Sequence, residues 1–164
     1  MARSRNGSGP PRLDTENVLV TEAGPPSVGI VVVSHSGLVA DATVALIRQL
    51  ANLESEGPRL VAAGGLEDGS VGTDAVRIAD AIRAADAGAG VVVMADLGSA
   101  VLSAFTAVEE LLDAEAATRV AISGGPLVEG TFVAAVQASA GDTLEGVRGA
   151  ADEAAAMDKL GDRR

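Results

Sequence analysis

One pattern constrains the fold of this chain more than any other: short β-branched runs alternate four times with stretches of helical periodicity. The runs are Val28-Gly29-Ile30-Val31-Val32-Val33, residues 59–63, Val91-Val92-Val93-Met94 and Val120-Ala121-Ile122. Unbroken apolar runs, as opposed to alternating ones, mark strands covered on both faces. After each comes a set of apolar residues at helical spacing, expected to face the sheet: Leu38, Ala42, Leu46, Leu50 and Leu53, ending before Gly57-Pro58; then Val76, Ala79 and Ile82, capped by Thr73 or Asp74. The third set is Val101, Phe105, Val108 and Leu112, the fourth Val128, Phe132, Val136 and Ala140. Residues 142–160 read as an Ala-rich acidic helix, capped by Asp142 and Thr143 and ended by Gly161. The pattern predicts a single α/β domain over residues 28–160, a doubly wound, mainly parallel four-stranded sheet with helices on both faces. Residues 1–27 mix Arg, Ser, Gly, Pro and acidic residues around one apolar patch, Val18-Leu19-Val20, and read as a disordered tail.

Composition removes several functions. Lys and Arg number 12 against 23 Asp and Glu, a formal charge of -11, so a nucleic acid or an anionic membrane would repel the chain. The apolar runs fall far short of the roughly 20 residues that span a bilayer. Arg3 and Arg5 lead into Gly7-Ser8-Gly9-Pro10-Pro11 and not into an apolar segment, so no secretory leader is expected and the cytoplasm is the expected location. The chain has no cysteine and one histidine, which excludes disulfides, thiolate chemistry and a multi-histidine metal centre, and no metal is expected. Two Phe, without Trp or Tyr, leave little to stack on a flavin or a base.

Ligand chemistry in open parallel sheets gathers outside the carboxyl ends of the strands. Four loops fall there, residues 34–37, 64–73, 96–99 and 123–126, and each feeds a helix N-terminus whose free N–H groups and dipole favour an anion, phosphate above all. His35 stands at that edge, one residue past the first strand. Neutral imidazole attacks phosphorus near pH 7, and the phosphoramidate it forms keeps the transfer potential that a carrier needs. One ring nitrogen must then be free while an acceptor holds the other as N–H, and Asp96, at the end of the third strand, is the candidate acceptor. Plainer readings stand beside these. A lone loop histidine is commonly a surface residue, Asp96 serves equally as a helix cap, Thr73 with Asp74 reads as a cap, and Gly64, Gly65, Gly72 and Gly98 serve turns. The acidic surplus adds the expectation that a carrier would dock through an acidic rim onto basic surfaces.

Gly29-Ile30-Val31-Val32-Val33-Ser34-His35-Ser36 resembles the start of the mannose-type IIA family of phosphotransferase-system domains. Gly72-Thr73-Asp74-Ala75-Val76, Met94-Ala95-Asp96-Leu97-Gly98-Ser99-Ala100 and Pro126-Leu127-Val128-Glu129-Gly130 narrow the likeness to the branch serving phosphoenolpyruvate-dependent dihydroxyacetone kinases. The resemblance implies a relay from phosphoenolpyruvate through enzyme I and HPr to Nε2 of His35. From there the phosphoryl group would pass to ADP held on a DhaL subunit, which phosphorylates dihydroxyacetone bound on DhaK. It further implies that Asp96 hydrogen-bonds the histidine, that Ser36, Gly72, Thr73, Gly98 and Ser99 line the phosphoryl pocket, and that the chain forms a homodimer. No cofactor is implied in this chain, ADP and ATP belonging to the partner. Sugar-transporting members carry Trp-Gly-Gly after the aspartate where Leu97-Gly98-Ser99 stands here, which favours the dihydroxyacetone branch. Some members of that branch are fused to HPr-like and enzyme I-like domains; this chain ends at Arg164 and is expected to draw phosphate from separate proteins. The alternatives are a IIA component donating to a sugar transporter's IIB domain and a regulatory module whose phosphorylation reports carbon supply.

Overall fold

The structure, a computed structural model, describes residues 26–53 and 57–161. The tail expected over residues 1–27 lies outside the described residues except for Pro26 and Ser27. β1 (Gly29–Ser34) is buried along its whole length, as an apolar run covered on both faces requires. It pairs with β2 (Leu60–Gly64) on one side and β3 (Val91–Ala95) on the other, and β4 (Val120–Ser123) pairs with β3; every pair is parallel and the order is β2-β1-β3-β4. The helices are α1 (Gly37–Leu50), α2 (Ala75–Ala85), α3 (Gly98–Thr106), a single turn α4 (Ala114–Ala117), α5 (Leu127–Ser139) and α6 (Leu144–Glu153). Successive strand residues face opposite ways. Ile30, Val92 and Met94 meet Ile47 of α1, Ala134 of α5 and Val147 of α6, while Val31, Val33 and Val93 meet Ile78 and Ile82 of α2 and Ala100 of α3. Both faces of the sheet are therefore covered, which gives the doubly wound α/β architecture.

The helices do not bury the faces that their leucines suggest. In α1 the inward residues are Ala40, Thr43 and Ile47, whereas Leu38 is 82% and Leu50 60% exposed, and Leu46 and Ala42 also face out; only Leu53, beyond the helix, packs inward. α3 turns Ala100 and Ala104 inward and leaves Phe105 out, with Val101 half-buried. α5 buries Gly130, Thr131, Ala134, Ala135 and Ala138, leaving Val128, Val136 and Ala140 exposed and Phe132 half-buried. In α2, Ala79 and Ile82 are buried as expected but Val76 is exposed. The reason lies in the strands. Their Val, Ile and Met side chains already fill the layer between sheet and helix, so a close-packed interior admits small residues opposite them. A Cβ on Gly130 would fall 2.6 Å from the Met94 methyl. Spacing identifies an apolar stripe; strand bulk decides which stripe is buried.

Two helix ends also differ. The helix expected to reach Leu112 is α-helical to Thr106 and continues as a π turn over Ala107–Leu111, which keeps Ala107 buried while Val108 and Leu112 pack beside it. The last helix stops at Glu153, followed by a 3-10 turn, Ala154–Ala156, short of Gly161. Its cap is Thr143, whose hydroxyl accepts from the Gly146 amide at 3.1 Å, while Asp142 accepts from the Thr143 amide.

Gly64 closes β2 against the start of α1: a Cβ there would stand 2.6 Å from the Ser36 carbonyl oxygen and 2.9 Å from the Gly37 Cα. Gly64→Ala is expected to destabilise the protein by about 1–3 kcal/mol through this overpacking. Gly149→Ala, in the open interior of α6 with nothing near its Cβ, is expected to stabilise by about 0.5–1 kcal/mol. Urea unfolding midpoints of the two variants check both signs.

Candidate active site at His35

β1 and β3 are neighbours in register, Val33 opposite Ala95, so the residues that follow them, His35 and Asp96, emerge side by side at the carboxyl edge. α1 then leaves toward one face of the sheet and α3 toward the other, which opens the crevice that parallel sheets use for ligands. His35 Nδ1 lies 2.9 Å from Asp96 Oδ1. The same oxygen accepts from the Leu97 amide at 2.7 Å, and Oδ2 accepts from the Ser34 hydroxyl at 2.8 Å and the His35 amide at 2.9 Å. Burial works against ionisation of Asp96, but the His35 amide, the Ser34 hydroxyl, the imidazole and the Leu97 amide together outweigh it and hold the carboxyl below its ordinary value. An ionised carboxylate can only accept, so Nδ1 carries the proton and Nε2 presents its lone pair. Nε2 meets the Ser99 hydroxyl at 2.5 Å, which therefore donates to it. The imidazole is 23% exposed, enough for its Nε2 edge to be reached from outside.

The other candidate residues divide. Gly98 and Ser99 form the first turn of α3, where N–H groups have no carbonyl ahead of them, and no side chain caps that end. A Cβ at Gly98 would meet nothing within 4 Å, so the helix terminus is open beside Nε2. Ser36 sits at the cap position of α1 with its hydroxyl making no capping bond, and lines an open cavity of about 500 Å3 with Gly37, Leu38 and Gly65. Gly72 and Thr73 are engaged elsewhere. The Gly72 amide donates to the His35 carbonyl at 2.9 Å, and the Thr73 hydroxyl is bonded to the Ser103 hydroxyl of α3 at 2.8 Å. These two residues brace the backbone of the histidine and tie the α2 loop to α3. The cap of α2 is Asp74, which accepts from Val76 and Arg77. The loop after β4 does not offer its amides to an anion, because Asp152 of α6 accepts from Gly124 N at 2.8 Å and from the Ser123 hydroxyl at 2.6 Å. Among the described residues no group of three His, Cys, Asp or Glu could hold a metal ion, and no helix is long and apolar enough to cross a membrane.

Sequence reasoning passed over Ser34. It is buried, donates to Asp96 and accepts from the Ser36 amide at 3.1 Å. A polar residue ending an otherwise apolar strand was the available signal.

The family of PTS system fructose IIA components, EIIA-man, matches residues 29–148. The chain belongs to this family. It is 42% identical over 114 residues to the PEP-dependent dihydroxyacetone kinase phosphoryl donor subunit DhaM of Escherichia coli K12, covering 68% of this chain and 24% of that one. It is 40% identical over 111 residues to the DhaM subunit of dihydroxyacetone kinase 2 of Listeria innocua, covering 68% and 86%. The chain thus spans about a quarter of the E. coli relative and most of the Listeria one. A crystal structure of a protein of unknown function superposes with a TM-score of 0.67 at 33% identity, covering 77% of this chain and 94% of that one.

In this IIA-family chain the Asp96 network has a pH signature. Its carboxyl is depressed below the ordinary value of 3.8, so the network stabilises the fold fully above that value and the benefit is lost as pH falls through the folded-state value. The stability gap between wild type and Asp96→Asn is expected to be wide at pH 7 and to narrow progressively below pH 3.8, read by urea unfolding across pH. Ser34→Ala removes one of the carboxylate's four bonds. It is expected to destabilise by about 1.5–3 kcal/mol at pH 7 and to raise the Asp96 pKa, measured by carboxyl carbon NMR titration.

Proposed function

We propose that this IIA-family chain is the cytoplasmic phosphocarrier of a phosphoenolpyruvate-dependent dihydroxyacetone kinase. It takes a phosphoryl group from the phosphohistidine of HPr onto His35 and passes it to ADP on a DhaL subunit, for the phosphorylation of dihydroxyacetone on DhaK. The observation that carries this reading is the alignment Asp96, His35, Ser99, which fixes the imidazole tautomer and aims Nε2 at an uncapped helix N-terminus.

The Nε2 lone pair attacks phosphorus in line, a new P–N bond forms, and the donor's P–N bond breaks with its electron pair returning to the donor ring. His35 becomes a cationic phosphoimidazole, and the Asp96 carboxylate, already bonded to Nδ1, balances that charge. In this reading the Gly98 and Ser99 amides and the Ser99 hydroxyl bond the phosphoryl oxygens, which the uncapped end of α3 supports. Transfer to ADP reverses these roles: the β-phosphate oxygen attacks, and the electrons of the P–N bond return to Nε2. The ADP and ATP of this relay reside on the partner, and the chain needs no cofactor of its own.

The names of the E. coli and Listeria relatives support the dihydroxyacetone branch. The family's description as fructose IIA components supports the second reading, a donor to a sugar transporter's IIB domain. Transfer from the labelled protein to a DhaL–ADP complex or to a IIB domain separates them. The functional unit is a homodimer, for which the exposed apolar residues along α1 and α5, Leu46, Leu50 and Val136, offer a face.

With enzyme I, HPr and phosphoenolpyruvate, the protein is expected to gain one acid-labile phosphate per chain. His35→Ala is expected to gain none, and Asp96→Asn to be phosphorylated at least about 100-fold more slowly because the tautomer is no longer held. A full adduct on His35→Ala would refute the assignment.

A further inference from the structure

Ser99, His35 and Asp96 also meet the geometric requirements of a different chemistry. A serine becomes a nucleophile when its hydroxyl rests on an imidazole whose other nitrogen is held as N–H by an ionised carboxylate. Here the Ser99 hydroxyl lies 2.5 Å from His35 Nε2, and Nδ1 lies 2.9 Å from Asp96 Oδ1. That carboxylate is itself fixed by the Ser34 hydroxyl and by the amides of His35 and Leu97. Ser99 is exposed, so a small molecule can reach its oxygen. Other serines of the chain differ in what they rest on. Ser34, Ser70 and Ser123 donate to carboxylates and Ser139 to a carbonyl, acceptors that take up no proton near neutral pH. The acceptor at Ser99 is an imidazole, which does.

We infer that Ser99 is an activated nucleophile and that the protein with a free His35 transfers acyl groups from small esters to water. This activity goes beyond the carrier reading and does not rest on it. The two use one lone pair differently: in the carrier Nε2 attacks, whereas here it takes the Ser99 proton. Oγ bonds the acyl carbon as its proton passes to Nε2, and the carbonyl electron pair moves onto oxygen. The uncapped first turn of α3 offers the Gly98 and Ser99 amides to that oxyanion. Collapse expels the alcohol, which leaves with the proton from Nε2, and water cleaves the acyl-serine by the same steps in reverse roles. Asp96 balances the imidazolium in both halves. The substrate class follows from the surroundings. A Cβ at Gly98 would meet nothing within 4 Å, so the approach is open and grips no long chain; a short acyl group on a good leaving group fits it.

The test treats the full chain with diisopropyl fluorophosphate, whose phosphorus Oγ attacks with loss of fluoride. The expected result is one acid-stable adduct per chain, mapped to Ser99 by mass spectrometry, and none on Ser99→Ala, a change at an exposed position that leaves the core intact. His35→Gln and Asp96→Asn are expected to label at least about 100-fold more slowly, and hydrolysis of para-nitrophenyl acetate to fall in step in all three variants. An acid-labile adduct on His35 would mean that the imidazole attacks directly, and would overturn the proposal. So would wild-type protein without an adduct at Ser99, an undiminished labelling rate in His35→Gln, or ester hydrolysis untouched by Ser99→Ala. The carrier reading is judged separately. Protein that fails here yet gains acid-labile phosphate from phospho-HPr loses the serine chemistry alone, and protein labelled at Ser99 that takes no phosphate from phospho-HPr loses the carrier reading alone.

Discussion

The Asp96 carboxylate is the tie on which the carboxyl edge of the sheet depends. Its two oxygens accept four hydrogen bonds, three of them from Ser34 and His35 at the end of β1 and one from its own neighbour Leu97. Residues more than sixty positions apart in the chain are thereby fixed by a single ionised group, which has to stay ionised for the tie to hold. Charge-assisted bonds of this kind are among the strongest available at a half-buried site. The same contact that closes β1 onto β3 sets the proton on Nδ1, so the tautomer of the histidine follows from the strand pairing.

A parallel sheet with both faces covered was legible because the sequence alternates β-branched runs with helical periodicity; the order β2-β1-β3-β4 comes from the structure. Helix facing was not legible. α3 and α5 each carry a small-residue stripe and a bulky one, and α1 sets Ala40, Thr43 and Ile47 against Leu38, Leu46 and Leu50; apolar spacing favours the bulkier stripe. Packing chose the other: Ala40, Ala100 and Ala134 sit against the sheet because Val31, Met94 and their neighbours already occupy the volume. What remained outside, Leu38, Leu50, Leu102 and Val136 among it, is surface that a chain acting alone would have little reason to carry.

The site was more legible than the helices. A lone histidine after the first strand and an aspartate after the third are brought together by any sheet that places those strands side by side, and the order β2-β1-β3-β4 does so. Positions that depend on loop conformation were harder to read. Gly72 and Thr73 occur where a phosphate pocket would place them in sequence, yet their polar groups turn to the His35 carbonyl and to Ser103. Ser34 escaped because a serine closing a strand looks like the end of an apolar run, and its value appears only once Asp96 is known to lie across from it.

On the carrier function proposed above, the contact between Ser99 and Nε2 has a direct use. Nε2 lies at the reachable edge of an imidazole that is 23% exposed, and a donor within the site supplies its hydrogen bond. The Ser99 hydroxyl fills that role at 2.5 Å and, rotating about a single bond, can turn the same proton to an arriving phosphoryl oxygen. α3 holds Ser99 next to Gly98 at an uncapped helix end, so on that reading little reorganisation would separate the resting imidazole from a loaded one. That low asymmetry between the two states is what reversible transfer requires: a site that bound phosphate tightly through deeply buried cations would accept it and fail to let go, whereas an open helix terminus and one mobile hydroxyl can do both.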